Sequence, residues 1–332
     1  MKSAKQLSNK AFAFFITSML ILGIMCVNHT NADTDLNKVH FLIPGGAGGG
    51  WDATARGVGE ALTKSSLIKN GSYQNMSGGG GGKAIGYLIK TAKRQKQTLM
   101  VNSTPMLIRS LQKVFPHSFR DLTPIAAVVA DYGVFAVRSD SKFKHWQDVV
   151  TAFKINPRQL RIGGGSGRGS MDHLVAALAF GAAGGNPKDV RYIPYDAGGK
   201  ALAGLLSGET QVLSTGLGEA LEQHKSGQVR ILAITADERV SAAPNIPTFK
   251  ELGYDVSFVN WRGFFGPPGL SQNEVANYAK VLENMYETPA WEKVRNRNGW
   301  ENLYKPGQEF YTFLEAQEKV IGTLMRELGF LQ

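Results

Sequence analysis

Short apolar segments alternate with segments of helical periodicity from residue 39 to residue 234. Short β-branched runs are typical of strands, and apolar residues spaced three or four apart are typical of amphipathic helices. The predicted strands are Val39–Ile43, Tyr73–Met76, Thr98–Asn102, Pro124–Ala130, Val134–Val137, Leu160–Ile162, Val190–Ile193, Gln211–Leu213 and Val229–Ile234. The predicted helices follow Asp52, Gly82 and Thr104 and occupy His145–Phe153, Ser170–Ala183, Gly198–Leu206 and Gly218–Lys225. This alternation predicts an α/β fold built from parallel βαβ units.

The alternation breaks at two places, which indicates two lobes. No helix fits between Ala130 and Val134, so we expect the chain to cross between lobes there. From Gln272 onward the pattern is helical to the end. Apolar residues of the last helix predict a core-facing stripe, namely Phe310, Phe313, Leu314, Val320, Ile321, Leu324, Met325 and Leu328. We therefore predict a hinged protein, with residues 33–132 and 258–332 in one lobe, residues 133–257 in the other, and a cleft between them.

Residues 1–32 have the layout of a cleavable secretory signal peptide. Three lysines precede an apolar run from Ala11 to Val27, and polar and small residues lead to Ala32. We expect cleavage after Ala32 and a periplasmic mature protein; a retained membrane anchor is the alternative, which the short, interrupted run disfavours. The only cysteine, Cys26, lies inside that run. A mature chain without it excludes disulfides, cysteine catalysis and thiolate metal sites.

The chain is basic, with 37 Lys and Arg against 27 Asp and Glu and a formal net charge of +10. Loss of the three signal-peptide lysines leaves +7. This surplus either attracts acidic ligands over a distance or only keeps the protein soluble. The basic residues around Lys90 resemble a solvated helix end, and no nucleic-acid-binding motif accompanies them. We therefore expect no nucleic-acid partner.

Four glycine-rich turns join predicted strands to predicted helices. They are Pro44–Arg56, Asn75–Lys83, Gly163–Ser170 and Tyr195–Gly199. Such turns place unpaired backbone N–H groups and the positive ends of helix dipoles at the carboxyl ends of strands, where α/β proteins bind ligands. In the first turn, Asp52 is the predicted N-cap of the helix. The sequence thus predicts a site for an oxyanion such as a carboxylate, sulfate or phosphate; the alternative is that the glycines only make tight turns.

Nucleotide-binding and catalytic motifs fit these turns poorly. A Walker A loop ending at Lys83 would need glycine at Ser77 and a hydroxyl residue at Ala84. Glycines of the first turn match the dinucleotide spacing, but no acidic residue follows about 20 positions later. Ser166 and Ser170 lack the G-x-S-x-G elbow of hydrolases.

The remaining polar candidates leave two roles open. His173 is either a base or a group that orients the loop before it. Asp196 either accepts a hydrogen bond from a ligand hydroxyl or ammonium group or forms an Asx turn. The histidines show no metal-ligand spacing, so we expect no metal and no cofactor.

The glycine-rich stretches resemble the substrate-binding proteins of tripartite tricarboxylate transporters, the Bug (TctC-like) family. The resemblance covers essentially the whole mature chain and rests on Ile43–Asp52, Gly78–Gly82, Arg161–His173, Ile193–Ala201 and Glu238–Gly253, in that order. It implies a periplasmic binding protein fold of type II, with two α/β lobes, a hinge and an interlobe cleft. It also implies that the protein clamps a small organic carboxylate and delivers it to a membrane permease.

The resemblance further implies how the ligand is held. The Gly48–Asp52 loop and ordered water take one carboxylate, while the Ser166–Ser170 loop and the Asn102–Thr104 turn close around it. The predicted ligand-binding residues are Gly48, Gly49, Gly50, Trp51, Asp52, Asn102, Ser103, Thr104, Ser166, Gly167, Gly169, Ser170, His173, Asp196 and Gly198. Two positions depart from the commonest family pattern, because Trp51 replaces a small residue and Met76-Ser77 replaces Lys-Pro.

The leading hypothesis is a monomeric, non-catalytic binding protein for a tricarboxylate or dicarboxylate, whose partner is a tripartite tricarboxylate-type permease. Two alternatives belong to other classes. One is a secreted enzyme that acts on an acyl or phosphoryl substrate through Ser166 or Ser170 and His173. The other is a sensor subunit that presents the bound ligand to a membrane receptor.

Overall fold

The computed structural model describes residue 36 and residues 38–332. The predicted signal peptide, residues 1–32, lies outside the described residues. Within the described part, the chain forms ten strands and ten α-helices. The strands are β1 (Lys38–Ile43), β2 (Asn70–Asn75), β3 (Thr98–Ser103), β4 (Thr123–Arg138), β5 (Arg161–Gly164), β6 (Arg191–Pro194), β7 (Val212–Gly216), β8 (Val229–Ile234), β9 (Val259–Gly266) and β10 (Glu301–Pro306).

The helices lie between these strands and in the C-terminal region. They are α1 (Gly50–Lys64), α2 (Gly82–Lys90), α3 (Thr104–Leu111), α4 (Trp146–Ile155), α5 (Met171–Ala182), α6 (Gly198–Leu206), α7 (Leu217–Lys225), α8 (Gln272–Tyr286), α9 (Pro289–Asn298) and α10 (Gly307–Glu327). Among the described residues, no helix combines the length and the hydrophobicity that crossing a membrane requires.

All ten strands belong to one pairing network that β4 divides into two half-sheets. In the first half-sheet, β1 pairs in parallel with β2 and β3, and β9 is antiparallel to β3 and to residues 123–132 of β4. Strand β10 also pairs with this part of β4. In the second half-sheet, β5 is parallel to β6 and β7, and residues 133–138 of β4 pair with β7 and β8. The parallel βαβ units that we predicted are therefore joined through antiparallel strands.

The change of partners along β4 explains the missing helix between Ala130 and Val134. The two strands predicted there are one continuous strand, which pairs with β9 as far as Tyr132 and with β7 from Gly133. The lobe limits 33–132, 133–257 and 258–332 remain a prediction. By contact density, residues 36–332 form one compact unit.

Two strands were missing from the sequence prediction, and the pattern is not helical from Gln272 to the end. Strand β9 lies between β3 and β4 and is buried along almost its whole length. Its two glycines and its charged residue hide the apolar pattern of a central strand. Strand β10 interrupts the helical region and is half-exposed, because it pairs at one side of β4. Its polar sequence has no alternation to detect.

The last helix packs against both halves of the molecule. Phe310 and Leu314 lie in a core cluster with β9, whereas Ile321 and Met325 lie in a cluster with the second half-sheet and α5. The predicted stripe is correct for these four residues, but Val320 is 60% exposed. The end of α10 therefore packs with the half of the sheet opposite to the one that we predicted for it.

Candidate functional site

A cavity of about 320 Å³ lies where the two half-sheets meet. Turns that follow β1, β2, β5 and β6 line it, and each turn leaves the carboxyl end of its strand. The predicted turns therefore do converge, as expected for a ligand site in an α/β sheet. The turn residues at its wall are Pro44, Gly45, Gly46, Gly49, Gly50, Ser77, Gly78, Gly79, Gly80, Gly81, Gly165, Ser166, Gly167, Tyr195, Asp196, Ala197 and Gly198.

The first turn places the start of α1 at the cavity. Gly49 is the N-cap, and Gly49, Gly50 and Trp51 line the wall. The prediction that Asp52 caps α1 was wrong, since Asp52 lies in the first helical turn. Its carboxylate accepts hydrogen bonds from the Gly48 N–H (3.0 Å), Arg56 Nε (2.9 Å) and Asn75 Nδ2 (3.0 Å). Asp52 and Gly48 shape the turn and are not among the lining residues.

Trp51 connects the first turn to the end of β3. Its indole N–H donates to Ser103 Oγ at 2.8 Å, and both residues line the cavity. Asn102 and Thr104 are buried beside Ser103 and do not line the wall. Asn102 Oδ1 accepts from the Ser103 N–H at 3.0 Å. The Asn102–Thr104 turn thus contributes one predicted residue, Ser103, to the cavity surface.

The loop after β5 contributes Ser166, Gly167 and Ser170, whereas Gly169 and His173 do not line the cavity. Nδ1 of His173 accepts from the Gly169 N–H at 3.0 Å, and its ring stacks on Tyr192 with 4.7 Å between centroids. Burial, followed by the charge of Arg168, lowers the pKa of His173 to about 4. The neutral imidazole therefore fixes the conformation of the loop, which was one of its two predicted roles.

Four hydrogen bonds cross the cavity, two between facing loops and two from the end of α3 to the loop after β5. They are Gly199 N–H to Gly48 O (3.2 Å), Ser77 Oγ to Asp196 Oδ1 (2.6 Å), Arg109 Nη1 to Arg168 O (3.0 Å) and Gln112 Nε2 to Gly169 O (2.8 Å). Asp196 thus accepts from a serine of the opposite loop. These contacts join the two walls of the cavity.

Several glycines leave room for charged side chains at the wall. A Cβ at Gly50 would lie 2.1 Å from Arg262 Nη1, and one at Gly198 would lie 2.2 Å from Glu219 Oε1. A Cβ at Gly167 would lie 2.3 Å from Arg109 Nη2. Larger residues at these positions would displace the guanidinium or carboxylate group. The glycine turns therefore bring distant charges close to the cavity as well as exposing backbone N–H groups.

In the described part of the chain, five charged residues line the cavity. Asp196 was predicted, whereas Arg109, Asp172, Glu219 and Arg262 were not. These four come from α3, α5, α7 and β9, so no local motif contains two of them. One signal was available, because Arg262 is a single charge inside the otherwise uncharged run from Phe258 to Gly269.

Burial is the largest influence on the pKa values of Asp172 and Arg109. Arg262 is 3% exposed and forms an ion pair with Asp131, which is fully buried, at 2.5 Å. Burial, and next the charge of Glu219, raise the pKa of Asp172 to about 7. Burial lowers the pKa of Arg109. Among the residues that the structure describes, no group of three or more His, Cys, Asp and Glu side chains is arranged to hold a metal ion.

Known proteins are similar to this chain in sequence and in fold. Residues 54–330 match the family described as "Tripartite tricarboxylate transporter family receptor". A UPF0065 protein of Bordetella pertussis is 24% identical over 330 residues, which cover 96% of this chain and 98% of that protein.

Two solved structures show the same architecture. The periplasmic binding protein BugD matches with a TM-score of 0.79 at 23% identity, over 89% of this chain and 98% of BugD. An R. palustris protein determined with adipate matches with a TM-score of 0.79 at 20% identity, over 88% of this chain and 97% of that protein. These matches confirm the predicted α/β periplasmic binding protein fold. With the match over residues 54–330, they identify the chain as a member of the tripartite tricarboxylate transporter receptor family, as its glycine-rich turns predicted.

Proposed function

We propose that this chain is a periplasmic solute-binding protein that captures a small organic carboxylate in the cavity and delivers it to a tripartite tricarboxylate-type membrane permease. The proposal includes export through a signal peptide at residues 1–32, cleavage after Ala32, and a monomeric mature protein. The observation that carries it is the convergence of four glycine-rich turns, each at the carboxyl end of a strand, on one cavity. Such turns bind oxyanions, carboxylates among them, through backbone donors.

Arg109 supports an anionic ligand. Its side chain lines the cavity, only 9% of the residue is exposed, and it contacts the Gly80 and Gly167 turns. A guanidinium can bind both oxygens of a carboxylate, and removal from water strengthens that contact. The cavity also has the size of a small dicarboxylate or tricarboxylate site, and the R. palustris relative was determined with adipate.

Hinge closure is the proposed mechanism of capture. The four bonds across the cleft form only when the facing loops approach each other, so a ligand that contacts both sides stabilises the closed form. We expect the permease to bind the surface of that closed form. In this mechanism the ligand leaves the protein chemically unchanged.

A hydrolase mechanism receives little support from the same residues. Nδ1 of His173 is occupied by the Gly169 N–H, and within the described chain no hydrogen bond joins His173 to Ser166 or Ser170. Ser166 Oγ instead accepts from the Asp172 N–H at 3.0 Å. A nucleophilic serine needs a base within hydrogen-bond reach. The predicted pairing of Ser166 or Ser170 with His173 is therefore not formed, and we propose a binding protein rather than an enzyme that uses this pairing. A sensor subunit would use the same closure and differ only in its membrane partner.

Titration calorimetry with carboxylates, followed by recovery of the ligand, tests the proposal. We expect a 1:1 complex, an intact ligand, and a change in tryptophan fluorescence that is lost in Trp51→Phe, because Trp51 lies at the cavity. Trp291→Phe is the matched control, since Trp291 packs in the core and lines no part of the cavity. Turnover of the ligand, or no binding by any carboxylate, would contradict the proposal.

A further inference from the structure

Two stacked rings behind the cavity wall fix the loop after β5. The Tyr192 hydroxyl donates to Ser166 O at 2.6 Å, and His173 Nδ1 accepts from the Gly169 N–H at 3.0 Å. The two rings lie on each other, with 4.7 Å between their centroids and 14° between their planes. One pair of rings therefore holds both ends of the Ser166–Ser170 loop, which forms part of the cavity wall.

The C-terminal tail, residues 329–332, adds a third ring to this pair. The ring of Phe330 contacts that of His173, with 4.9 Å between the centroids and 82° between the planes. Perpendicular aromatic pairs of this kind stabilise a structure beyond the effect of the area that they bury. Among the described residues, Phe330 is not one of those that line the cavity. It therefore contacts the ligand loop from behind the wall.

The end of α10 determines where this ring lies. The helix ends in a Schellman motif, in which the Phe330 N–H donates to Met325 O (2.7 Å) and the Gly329 N–H to Arg326 O (3.0 Å). Gly329 has a φ of +76°, which glycine adopts without strain. This reversal turns Phe330 and Leu331 back onto the core cluster that contains Met325. The position of Phe330 is thus set by the hydrogen bonds of the helix end.

The contacts converge on Gly169. Its N–H is bound by His173, and its carbonyl oxygen accepts from Gln112 Nε2 at 2.8 Å. A Cβ added to Gly169 would lie 3.7 Å from Cδ1 of Phe330, so the tail also reaches the loop backbone. Glycine adopts both signs of φ readily, so these contacts select the value of +78° that Gly169 has here. The next residue, Ser170, lines the cavity, and its position follows from that of Gly169.

We propose that Phe330 is a positioning residue for the ligand site. Its ring holds His173, which in turn fixes Gly169 and thereby Ser170. Helix α10 begins with Phe310 packed beside β9 and ends against the second half-sheet, so the tail also connects the ligand loop to the opposite half of the molecule. The inference goes beyond the proposed function and rests on it only for the effect on ligand affinity.

Amide hydrogen exchange of the ligand-free protein, followed by NMR, tests the inference without a ligand. We expect Phe330→Ala to speed exchange of the Gly169 amide about fivefold, because His173 loses one aromatic contact. Phe330→Tyr keeps the ring and should exchange like the wild type. Leu331→Ala is the matched control, since Leu331 is half-buried in the same tail against the same cluster but has no ring. No acceleration in Phe330→Ala, or an equal one in Leu331→Ala, would overturn the inference.

Titration calorimetry with succinate, adipate and citrate measures the consequence for binding. We expect Phe330→Ala to weaken the affinity about fivefold, a difference of about 1 kcal/mol, with an unchanged circular dichroism spectrum. Phe330→Tyr and Leu331→Ala should bind like the wild type. An unchanged affinity in Phe330→Ala would overturn the positioning role while the proposed function stands. If the wild type binds no carboxylate, the proposed function fails, whereas exchange of the Gly169 amide still decides whether Phe330 positions the loop.

Discussion

The raised pKa of Asp172 makes a quantitative prediction about the stability of the ligand-free protein. The carboxyl group has an ordinary pKa of 3.8 when exposed and about 7 in the folded protein, mainly because of burial and then because of Glu219. Between these values the unfolded chain has lost the proton and the folded chain keeps it. The free energy of unfolding therefore falls as the pH rises, by about 1.4 kcal/mol per pH unit from this group. The total is about 4 kcal/mol.

Asp172→Asn isolates this contribution, because asparagine has nearly the same shape and stays neutral. Urea unfolding of both proteins, followed by fluorescence from about pH 4 to about pH 8, gives the difference between their free energies of unfolding at each pH. We expect the wild type to lose stability relative to the variant as the pH rises, with most of the change complete by pH 7. Opening of the cleft would hydrate Asp172 without unfolding, so about 4 kcal/mol is an upper limit.

A difference between wild type and Asp172→Asn that is independent of pH would refute the raised pKa, since the folded and unfolded pKa values would then be equal. A wild type that gains stability with rising pH would refute it as well, because that would mean a lowered pKa. Glu222→Gln controls for the loss of one negative charge from the second half of the molecule. Its difference from the wild type at each pH is the background against which the Asp172→Asn difference is read.

Three further substitutions test the cavity. Gly49→Val should weaken carboxylate binding at least about tenfold, because a Cβ there would lie 2.8 Å from Ala197 Cβ and keep the facing loops apart; unchanged affinity in calorimetry would refute this role. Ser170→Ala should weaken binding about fivefold, the effect of losing one hydrogen bond, with unchanged circular dichroism; an equal loss of secondary structure would indicate a structural role. Gly50→Ala should destabilise the fold by about 3 kcal/mol in urea unfolding, because it would displace the buried guanidinium of Arg262; a stability equal to wild type would contradict that contact.

The sequence predicted those strands and helices that have an apolar periodicity of their own. The strands and helices between residues 39 and 234 lie close to their predicted positions, because each βαβ unit has its own apolar pattern and its own glycine turn. Strands β9 and β10 escaped prediction because their stability comes from partners distant in sequence. Hydrogen bonds to β4 stabilise the glycine-containing strand β9 and the polar strand β10, whose own sequences have a low β-propensity.

The candidate site likewise has one part that the sequence predicted and another that it did not. Backbone donors at the turns were predictable, since a glycine run between a strand and a helix leaves unpaired N–H groups at the start of the helix. The charges were not, because Arg262, Asp172 and Glu219 meet only after three separate elements have packed together. The Asp52 prediction shows a further limit, since an acidic residue near a helix start can bond to the turn before the helix as well as cap it. Sequence spacing alone does not decide between these two arrangements.

The shared strand β4 restricts the mechanics of this protein. Because residues 123–132 are bonded to one half-sheet and residues 133–138 to the other, sliding of one half past the other would break β4 ladder bonds. Bending or twisting near the junction of Tyr132 and Gly133 keeps nearly all of them. Any opening of the proposed cleft would therefore be a rotation about this junction and not a translation. Substitutions there should alter how fast the two halves separate, while the composition of the cavity wall stays the same.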